Sequence, residues 1–507
     1  MLKVSQNLPE YKDIPESQAG AASSFGGQRE NPFEQRRTGP IGCSLEKLAV
    51  ITRGKIVNGA PSIEIGPIAT DTRFIEPGDA FLALKGERFD AHDFLGEAVK
   101  NGARLLIVEF IPEDFVINSI PCLVVEDTLE ALLSIAAWYR KKLALKSICI
   151  TGSCGKTSTK ELVTKIYEGS FEVISTYKNF NNLVGLPITI LNAKSFHEWG
   201  VFELGMNQPG EIERLTRVAM PDIALITNIA PAHLEGLREI EGVAKEKARL
   251  FQNLRDDSVA CVNLDDPFIK KYASNIHCKK IGYSLEGQKS PETKEFVRLV
   301  SWRPNGFGTS FVVEVNGVRE EFYSLLPGLG NLQNLIAAIC VGIAGGIDLK
   351  IIKEAIKRAK PMPGRLFITK MGDWTVIDDT YNANPASMKN ALATLALWSE
   401  SEFRCAVLGD MFELGESASH YHFEMGKYAA STGISMILAA GTYAKDILRG
   451  ASQACMSEEK CLMFEDTDSL FNYIKEQASK LFPRDAWILV KGSRGMRMEK
   501  IIDALRR

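Results

Sequence analysis

No apolar run in this 507-residue chain reaches the roughly 18 to 20 residues needed to cross a bilayer. The opening residues Met1-Leu2-Lys3-Val4-Ser5-Gln6 also lack the apolar core of a secretory signal, so the expected location is cytoplasmic, with no membrane insertion. A dominant charge is missing too. Lys and Arg total 60 against 63 Asp and Glu, and a formal net charge of -3 offers no global field for DNA or anionic lipid. Nucleic acid is therefore not an expected partner, and any polyanion must be gripped locally. The ten cysteines include no C-x-x-C pair, and several lie inside apolar runs, which argues against a disulfide framework and against a zinc site. There are no internal repeats and no low-complexity tract beyond the N-terminal extension. What remains is an ordinary globular composition, 45% apolar and 24% charged. Its length exceeds a single core and fits about three domains of roughly 150 residues each.

Residues 1–41 are rich in Ser, Gln, Glu, Gly and Pro and read as a disordered extension. Glu10, Asp13, Glu16, Glu30 and Glu34 argue against an organellar transit peptide. Residues 42–143 alternate short strands, such as 80–84 and 105–108, with helical stretches such as 93–101 and 128–142, predicting a small α/β module. Residues 144–360 carry continuous apolar runs at 201–204, 223–227 and 259–263 between helical patterns, which implies a mainly parallel sheet covered on both faces. Pro361-Met362-Pro363-Gly364 reads as a linker. Residues 361–507 then predict strands at 375–379, 404–409, 435–440 and 486–491, with helices near 386–399, 418–432, 443–450 and 467–481. The fold class is thus α/β in three domains, the last a Rossmann-like open sheet.

The most informative stretch joins the strand Ile148-Cys149-Ile150-Thr151 to Gly152-Ser153-Cys154-Gly155-Lys156-Thr157-Ser158. Gly152 and Gly155 let backbone N–H groups crowd around phosphate oxygens, Lys156 brings a positive charge, the Thr157 hydroxyl suits Mg2+, and a helix begins there with its positive dipole end facing the anion. The common triphosphate-binding signature would put a glycine at Ile150, so this loop is a shortened variant. The bland alternative is a glycine-rich turn that merely caps a helix.

In open α/β sheets ligands gather outside the carboxyl ends of the strands. Glu203 ends an apolar run there, placed to hold Mg2+ with Thr157, although a lone glutamate is also a common cap or surface residue. His233 follows the next strand, where a structural histidine is the alternative. Lys247 sits in a charged helix and, from spacing alone, belongs to a solvated face. Asp379 and Asn382 end a strand in groups suited to ribose hydroxyls or an adenine edge, and Arg365 is placed to reach phosphates from the neighbouring domain. Lys491, Ser493 and Arg494 make a cationic turn that suits a carboxylate, or else a basic solvated turn.

Taken together, these motifs resemble the Mur ligase family of ATP-dependent amide-forming enzymes over about residues 44–507. The resemblance is carried by Thr70-Asp71-Thr72-Arg73, Leu84-Lys85-Gly86-Glu87-Arg88-Phe89-Asp90-Ala91-His92, the shortened glycine loop, Glu203-Leu204-Gly205-Met206-Asn207, Asp379-Thr380-Tyr381-Asn382-Ala383-Asn384-Pro385, Leu408-Gly409-Asp410-Met411-Phe412-Glu413-Leu414-Gly415 and Lys491-Gly492-Ser493-Arg494. It implies an N-terminal UDP-sugar module using Thr70, Asp71, Thr72, Arg73 and Lys85, a central ATP-binding domain, and a C-terminal domain that brings the amine through Asn382, Lys491, Ser493 and Arg494.

By the same resemblance, ATP contacts fall on residues 152–158 and on Asn331, Asn334, Arg365 and Asp379. Mg2+ is held by Thr157 and Glu203, and a second Mg2+ by His233 and a carbamylated Lys247, with Lys156, His233 and Lys247 as catalytic residues. The Asn-Ala-Asn-Pro run favours a dipeptide-adding member, with a UDP-muramoyl-tripeptide and D-alanyl-D-alanine as substrates and a monomeric chain. One departure is Gly330, which stands where the family usually has a histidine before Asn331. Competing readings are a glutamate-adding folate or cyanophycin-type ligase, a nucleotide-driven switch or motor, and a non-catalytic nucleotide-binding scaffold, which would be expected to lack one of Lys156, Glu203, His233 or Lys247.

Overall fold

The structure, a computed structural model, describes residues 36–86, 89–113, 115, 120–231, 237, 239–288, 293 and 295–506. Short apolar runs separated by turns give the first sheet: β1 (Lys55–Val57), β2 (Ile68–Ala69), β3 (Ala80–Leu82), β4 (Leu105–Val108) and β5 (Cys122–Val124). Their order is β1-β5-β4-β3-β2, with only the β1–β5 pair antiparallel. Residues 36–41, expected to belong to a disordered extension, are instead built onto this sheet. The Arg37 guanidinium lies 2.6 Å from the buried Asp79 carboxylate, the Thr38 N–H donates to the Ile68 carbonyl, and Ile41 is fully buried. A buried carboxylate needs such a partner, which a reading of composition alone does not reveal.

The helix Thr128–Leu143, capped by the Asp127 side chain, leads to the second sheet. Its Arg140 donates to the Met220 carbonyl (2.8 Å) and to Asp222 (2.9 Å), and the Tyr139 hydroxyl donates to the Ala193 carbonyl, so the first module is fastened to the second. The nine strands are β6 (Lys146–Thr151), β7 (Val173–Ser175), β8 (Trp199–Glu203), β9 (Ile223–Ile226), β10 (Val259–Asn263), β11 (Lys279–Ser284), β12 (Glu295–Asn305), β13 (Gly308–Val315) and β14 (Val318–Ser324). The order β14-β13-β12-β11-β10-β9-β6-β8-β7 is parallel from β12 through β7, and β12–β14 add an antiparallel arm. Helices cover both faces of the parallel part, which is why β8 and β9 are buried at every position.

The third sheet contains β15 (Phe367–Met371), β16 (Trp374–Asp379), β17 (Arg404–Gly409), β18 (Met436–Ala440), β19 (Cys461–Phe464) and β20 (Trp487–Lys491), ordered β15-β16-β20-β17-β18-β19. Only the edge pair β15–β16 is antiparallel. The whole is an α/β protein of three sheets, and none of its described helices is long and apolar enough to cross a membrane.

The second and third sheets share an apolar seam made by the helices Leu329–Ala344 and Pro385–Trp398. Trp302 of β12 stacks on Trp398 with ring centroids 5.7 Å apart, and the Trp398 indole N–H donates to the Gly308 carbonyl (3.0 Å). Gly328 permits the approach, since a Cβ there would lie 2.5 Å from the Thr394 hydroxyl. Trp398→Ala removes both the stack and the hydrogen bond, and a loss of about 3–5 kcal/mol is expected, to be measured as a lower thermal and urea midpoint.

Candidate functional site

The loop after β6 is shaped by the chain that follows β9. The Thr227 hydroxyl (2.6 Å) and the Asn228 side-chain nitrogen (3.1 Å) both donate to the Cys154 carbonyl, and the Cys154 N–H donates to Asn228 Oδ1 (2.9 Å). The Ser153 N–H donates to the Asn228 carbonyl and its hydroxyl to the Ala230 carbonyl. This closeness demands glycine. A Cβ on Gly152 would lie 1.9 Å from Thr227 Oγ1, one on Gly155 2.1 Å from Asn334 Oδ1, and the two residues have φ of +150° and +79°.

The N–H groups of Ser153 and Cys154, grouped from sequence with nucleotide contacts, are therefore used inside the protein. The helix Lys156–Tyr167 starts on Gly155 with no side-chain cap, so its first-turn N–H groups, which have no intrahelical partners, are the ones left for an anion. The Lys156 ammonium folds back to donate to the Gly152 carbonyl (2.8 Å). Burial raises the Cys154 thiol above its ordinary pKa, which keeps it protonated and poorly nucleophilic.

A cleft of about 540 Å³ opens over this loop, with Glu203, Asn331 and Asn334 on the central side and Arg365, Asp379, Asn382, Lys491, Ser493 and Arg494 on the C-terminal side. The structure thus brings the central and C-terminal candidates together. Arg365 crosses the gap, donating to the Thr157 hydroxyl (3.0 Å) while its guanidinium lies 4.1 Å from the Tyr381 ring centre. Lys491, fully buried, donates to Asp379 (2.5 Å) and to the Asn382 carbonyl (2.8 Å). Its charge is therefore committed to the protein, whereas Arg494 remains two-thirds exposed at 67%. Ser493, also buried, accepts from the Phe412 N–H (2.9 Å) and donates to the Ala383 carbonyl (3.3 Å).

Glu203 is 2% exposed; Oε1 accepts from the Asn181 side chain (2.8 Å), while Oε2 is buried without a partner among the described residues. An orphaned carboxylate oxygen and a threonine hydroxyl beside a phosphate cradle are the hard oxygen donors that Mg2+ takes, so these residues fit that ion. Among the described residues no group of three or more His, Cys, Asp or Glu forms a cage. This accords with an ion completed by phosphate and water.

His233 lies outside the described residues. Lys247, read from spacing as part of a solvated face, is 1% exposed on the helix Ile240–Gln252. Burial, reinforced by the charge of Lys156, pushes its pKa far below the ordinary value. Burial of this kind disfavours the charged form of a lysine.

Thr70, Asp71, Thr72, Arg73 and Lys85 are on the first module and do not line this cleft. Asp71 caps the short turn Thr72–Phe74 and pairs with Arg73 (2.6 Å), and this hydrogen-bonded pairing lowers its pKa. Lys85 is 63% exposed, 4.0 Å from Asp90. Sequence reasoning missed Asn181, a lone polar residue outside any motif, and gave no role to Thr227 and Asn228 at the strand end before His233, nor to Phe412 and Glu413.

Three family models match the chain: the Mur ligase family catalytic domain over residues 64–136, the Mur ligase middle domain over 150–342 and the Mur ligase glutamate ligase domain over 364–494. The UDP-N-acetylmuramoyl-tripeptide--D-alanyl-D-alanine ligase of Escherichia coli K12 is 34% identical over 467 residues, covering 92% of this chain and 98% of the relative. A MurF crystal structure from Acinetobacter baumannii superposes with a TM-score of 0.83 at 32% identity, covering 92% and 99% of the two chains. The MurF ligase of Thermotoga maritima, solved with ADP, has a TM-score of 0.76 at 26% identity over 86% and 96%.

Gly155→Ala forces a side chain into Asn334 and a strained backbone, so affinity for a nonhydrolysable ATP analogue is expected to fall about tenfold or more by titration calorimetry. Unchanged affinity would separate this loop from phosphate binding.

Proposed function

The chain belongs to the Mur ligase family, and from that premise we propose that it joins D-alanyl-D-alanine to UDP-N-acetylmuramoyl-tripeptide with ATP, making the pentapeptide precursor of peptidoglycan. The observation that carries this reading is the cleft in which the uncapped phosphate-loop helix faces Arg365 and Arg494 of the C-terminal domain. It places an anion-binding helix end opposite a cationic wall suited to a carboxylate.

A carboxylate does not condense with an amine unaided, because it is ionised and its oxide is a poor leaving group. In this reading Lys156 and the first-turn N–H groups of its helix grip the terminal phosphate of ATP. They offset charge as a peptide carboxylate oxygen bonds to the γ-phosphorus and ADP departs. The dipeptide nitrogen then attacks the acyl carbon, the tetrahedral intermediate collapses, inorganic phosphate leaves, and the nitrogen loses its proton to solvent. Arg365 adds positive charge at the phosphates from the C-terminal side. Asn331, Asn334 and Asp379 fit the nucleotide, with Lys491 fixing the Asp379 carboxylate. Asn382, Ser493 and Arg494 form the dipeptide wall, and Thr70, Asp71, Thr72, Arg73 and Lys85 serve the UDP-sugar.

Thr157 and Glu203 would hold Mg2+, which when bound supplies neutralisation of phosphate charge. His233 with a carbamylated Lys247 would hold a second such ion. Burial disfavours the charged form of Lys247, and the neutral amine is the form that would take up carbon dioxide to give a carboxylate-like oxygen ligand. Most of the catalysis is then positioning and charge neutralisation.

A phosphate-release assay tests the function against the competing switch or motor. Release is expected only when the UDP-tripeptide and D-alanyl-D-alanine are both present, and steady release from ATP alone would favour a switch. A panel of UDP-muramoyl peptides reads out the diamino acid at position three. For the carbamate, Lys247→Ala is expected to be nearly inactive and partly rescued by short carboxylic acids, and wild-type turnover in that variant would remove Lys247 from the site.

A further inference from the structure

The helix Leu329–Ala344 carries at its second position a glycine that its backbone does not require. Gly330 is not among the residues of positive φ, and glycine is a poorer helix former than alanine. Space accounts for it instead. A Cβ on Gly330 would lie 3.1 Å from Nδ2 of Asn390, closer than most side chains pack, and Asn390 belongs to the facing helix Pro385–Trp398 of the C-terminal domain. The two positions share one space: position 330 stays bare, and the Asn390 amide lies over it.

Both residues line the cleft. Asn390 is half-buried and its backbone carbonyl accepts from the Thr394 hydroxyl, but among the described residues its side-chain amide makes no hydrogen bond. Neighbouring amides are used within the protein. Asn331 Nδ2 donates to the Pro327 carbonyl (2.8 Å), and Asn384 Oδ1 accepts from the Ser387 N–H (2.9 Å) and from the Cys154 thiol (3.1 Å). An amide packed into place, partly withdrawn from water and without a protein partner is one that a ligand can satisfy.

The phosphate loop indicates which part of a ligand reaches it. Asn334 Oδ1 would lie 2.1 Å from a Cβ on Gly155, so Asn334 marks the phosphate end of its helix. Gly330 precedes it by four residues on the same helix face, about 6 Å along the axis. In a nucleotide a sugar ring fills such an interval, and the base follows it. A planar carboxamide carries an acceptor and a donor side by side, the complement of the N6 amino group and N7 of adenine. A 6-keto purine presents acceptors at both positions, and one half of the amide then faces like against like.

We propose that Asn390 is a specificity-determining residue for the nucleotide base: its amide, seated over Gly330, reads the edge of adenine from the C-terminal domain. This rests on the ATP-dependent ligase reading. The test is titration calorimetry on the intact protein with Mg2+, using ADP, IDP, which carries a keto oxygen in place of the adenine amino group, and tripolyphosphate, which has no base. Wild type is expected to bind ADP about tenfold more tightly than IDP, the discrimination one paired amide supplies. In Asn390→Ala the two nucleotides are expected to bind almost equally, through weaker ADP binding, while tripolyphosphate affinity is unchanged.

Gly330→Ala separates the contact from the fold. Alanine favours the helix, so the melting temperature is expected to hold or rise, yet ADP binding weakens because the new methyl group displaces the amide. In the Asn390→Ala background the same substitution is expected to weaken ADP no further. Equal binding of ADP and IDP by the wild type overturns the assignment. So does an ADP-to-IDP ratio that survives Asn390→Ala, or a parallel loss of tripolyphosphate affinity, and each of these results leaves the ligase reading standing. Absence of ADP binding by the wild type overturns the ATP dependence of that reading, and this assignment with it.

Discussion

The double hydrogen bond from Thr227 and Asn228 to the carbonyl of Cys154 is the contact on which the rest of the site depends. It draws the loop after β6 down onto the end of the neighbouring strand, so closely that positions 152 and 155 admit no side chain. The same pull turns the loop's own carbonyl inward and leaves the next helix to begin on a glycine that cannot cap it. A helix end with unsatisfied N–H groups is a local deficit in the isolated chain. Here it is a binding surface, because β6 lies between β8 and β9 and the parallel strands all deliver their carboxyl ends to that side.

Two further deficits lie near it. A buried carboxylate oxygen without a donor costs on the order of 1–3 kcal/mol, and among the described residues Glu203 Oε2 has none. Lys247 is 1% exposed, and burial disfavours its charged form. Neither group stabilises the fold as it stands. A bound cation would offset the cost at Glu203. Clustering of unmet polar groups on one side of a phosphate loop is a physical signature of a ligand site that stability alone would have removed.

The legibility of these features in the sequence follows their geometry. Strands buried on both faces, such as β9 and β17, are continuous apolar runs and were readable almost to the residue. The antiparallel arm β12–β14 was not, because one of its faces is wet, as the alternating burial of Glu295–Asn305 shows, and its apolar positions are diluted by Arg and Glu. Contiguous motifs in the site were readable for the same reason that strands were: their spacing is local. Asn181 and Asn228 act across long sequence separations and carry no local pattern. Lys247 was misjudged from spacing because its helix also carries Glu241, Lys245 and Arg249, and only the packing of that helix against the sheet reveals which side faces inward. The five residues of the first module remain legible only as a motif, since in the structure they stand apart from the cleft.

The C-terminal wall of the cleft owes its geometry to strand register. β16 and β20 run parallel with Asp379 directly opposite Lys491, so the last residues of two adjacent strands form a buried ion pair at the sheet's edge. Such a pair contributes little net stability, because both ions lose their hydration, but it is geometrically exacting and silences the two nearest charges. It leaves the Asp379 carboxylate fixed by Leu366 and Lys491, with the Arg494 guanidinium exposed beyond it. Arg365, held between the Thr157 hydroxyl and the Tyr381 ring, spans the central and C-terminal sides of the same cleft and couples the two domains through one side chain.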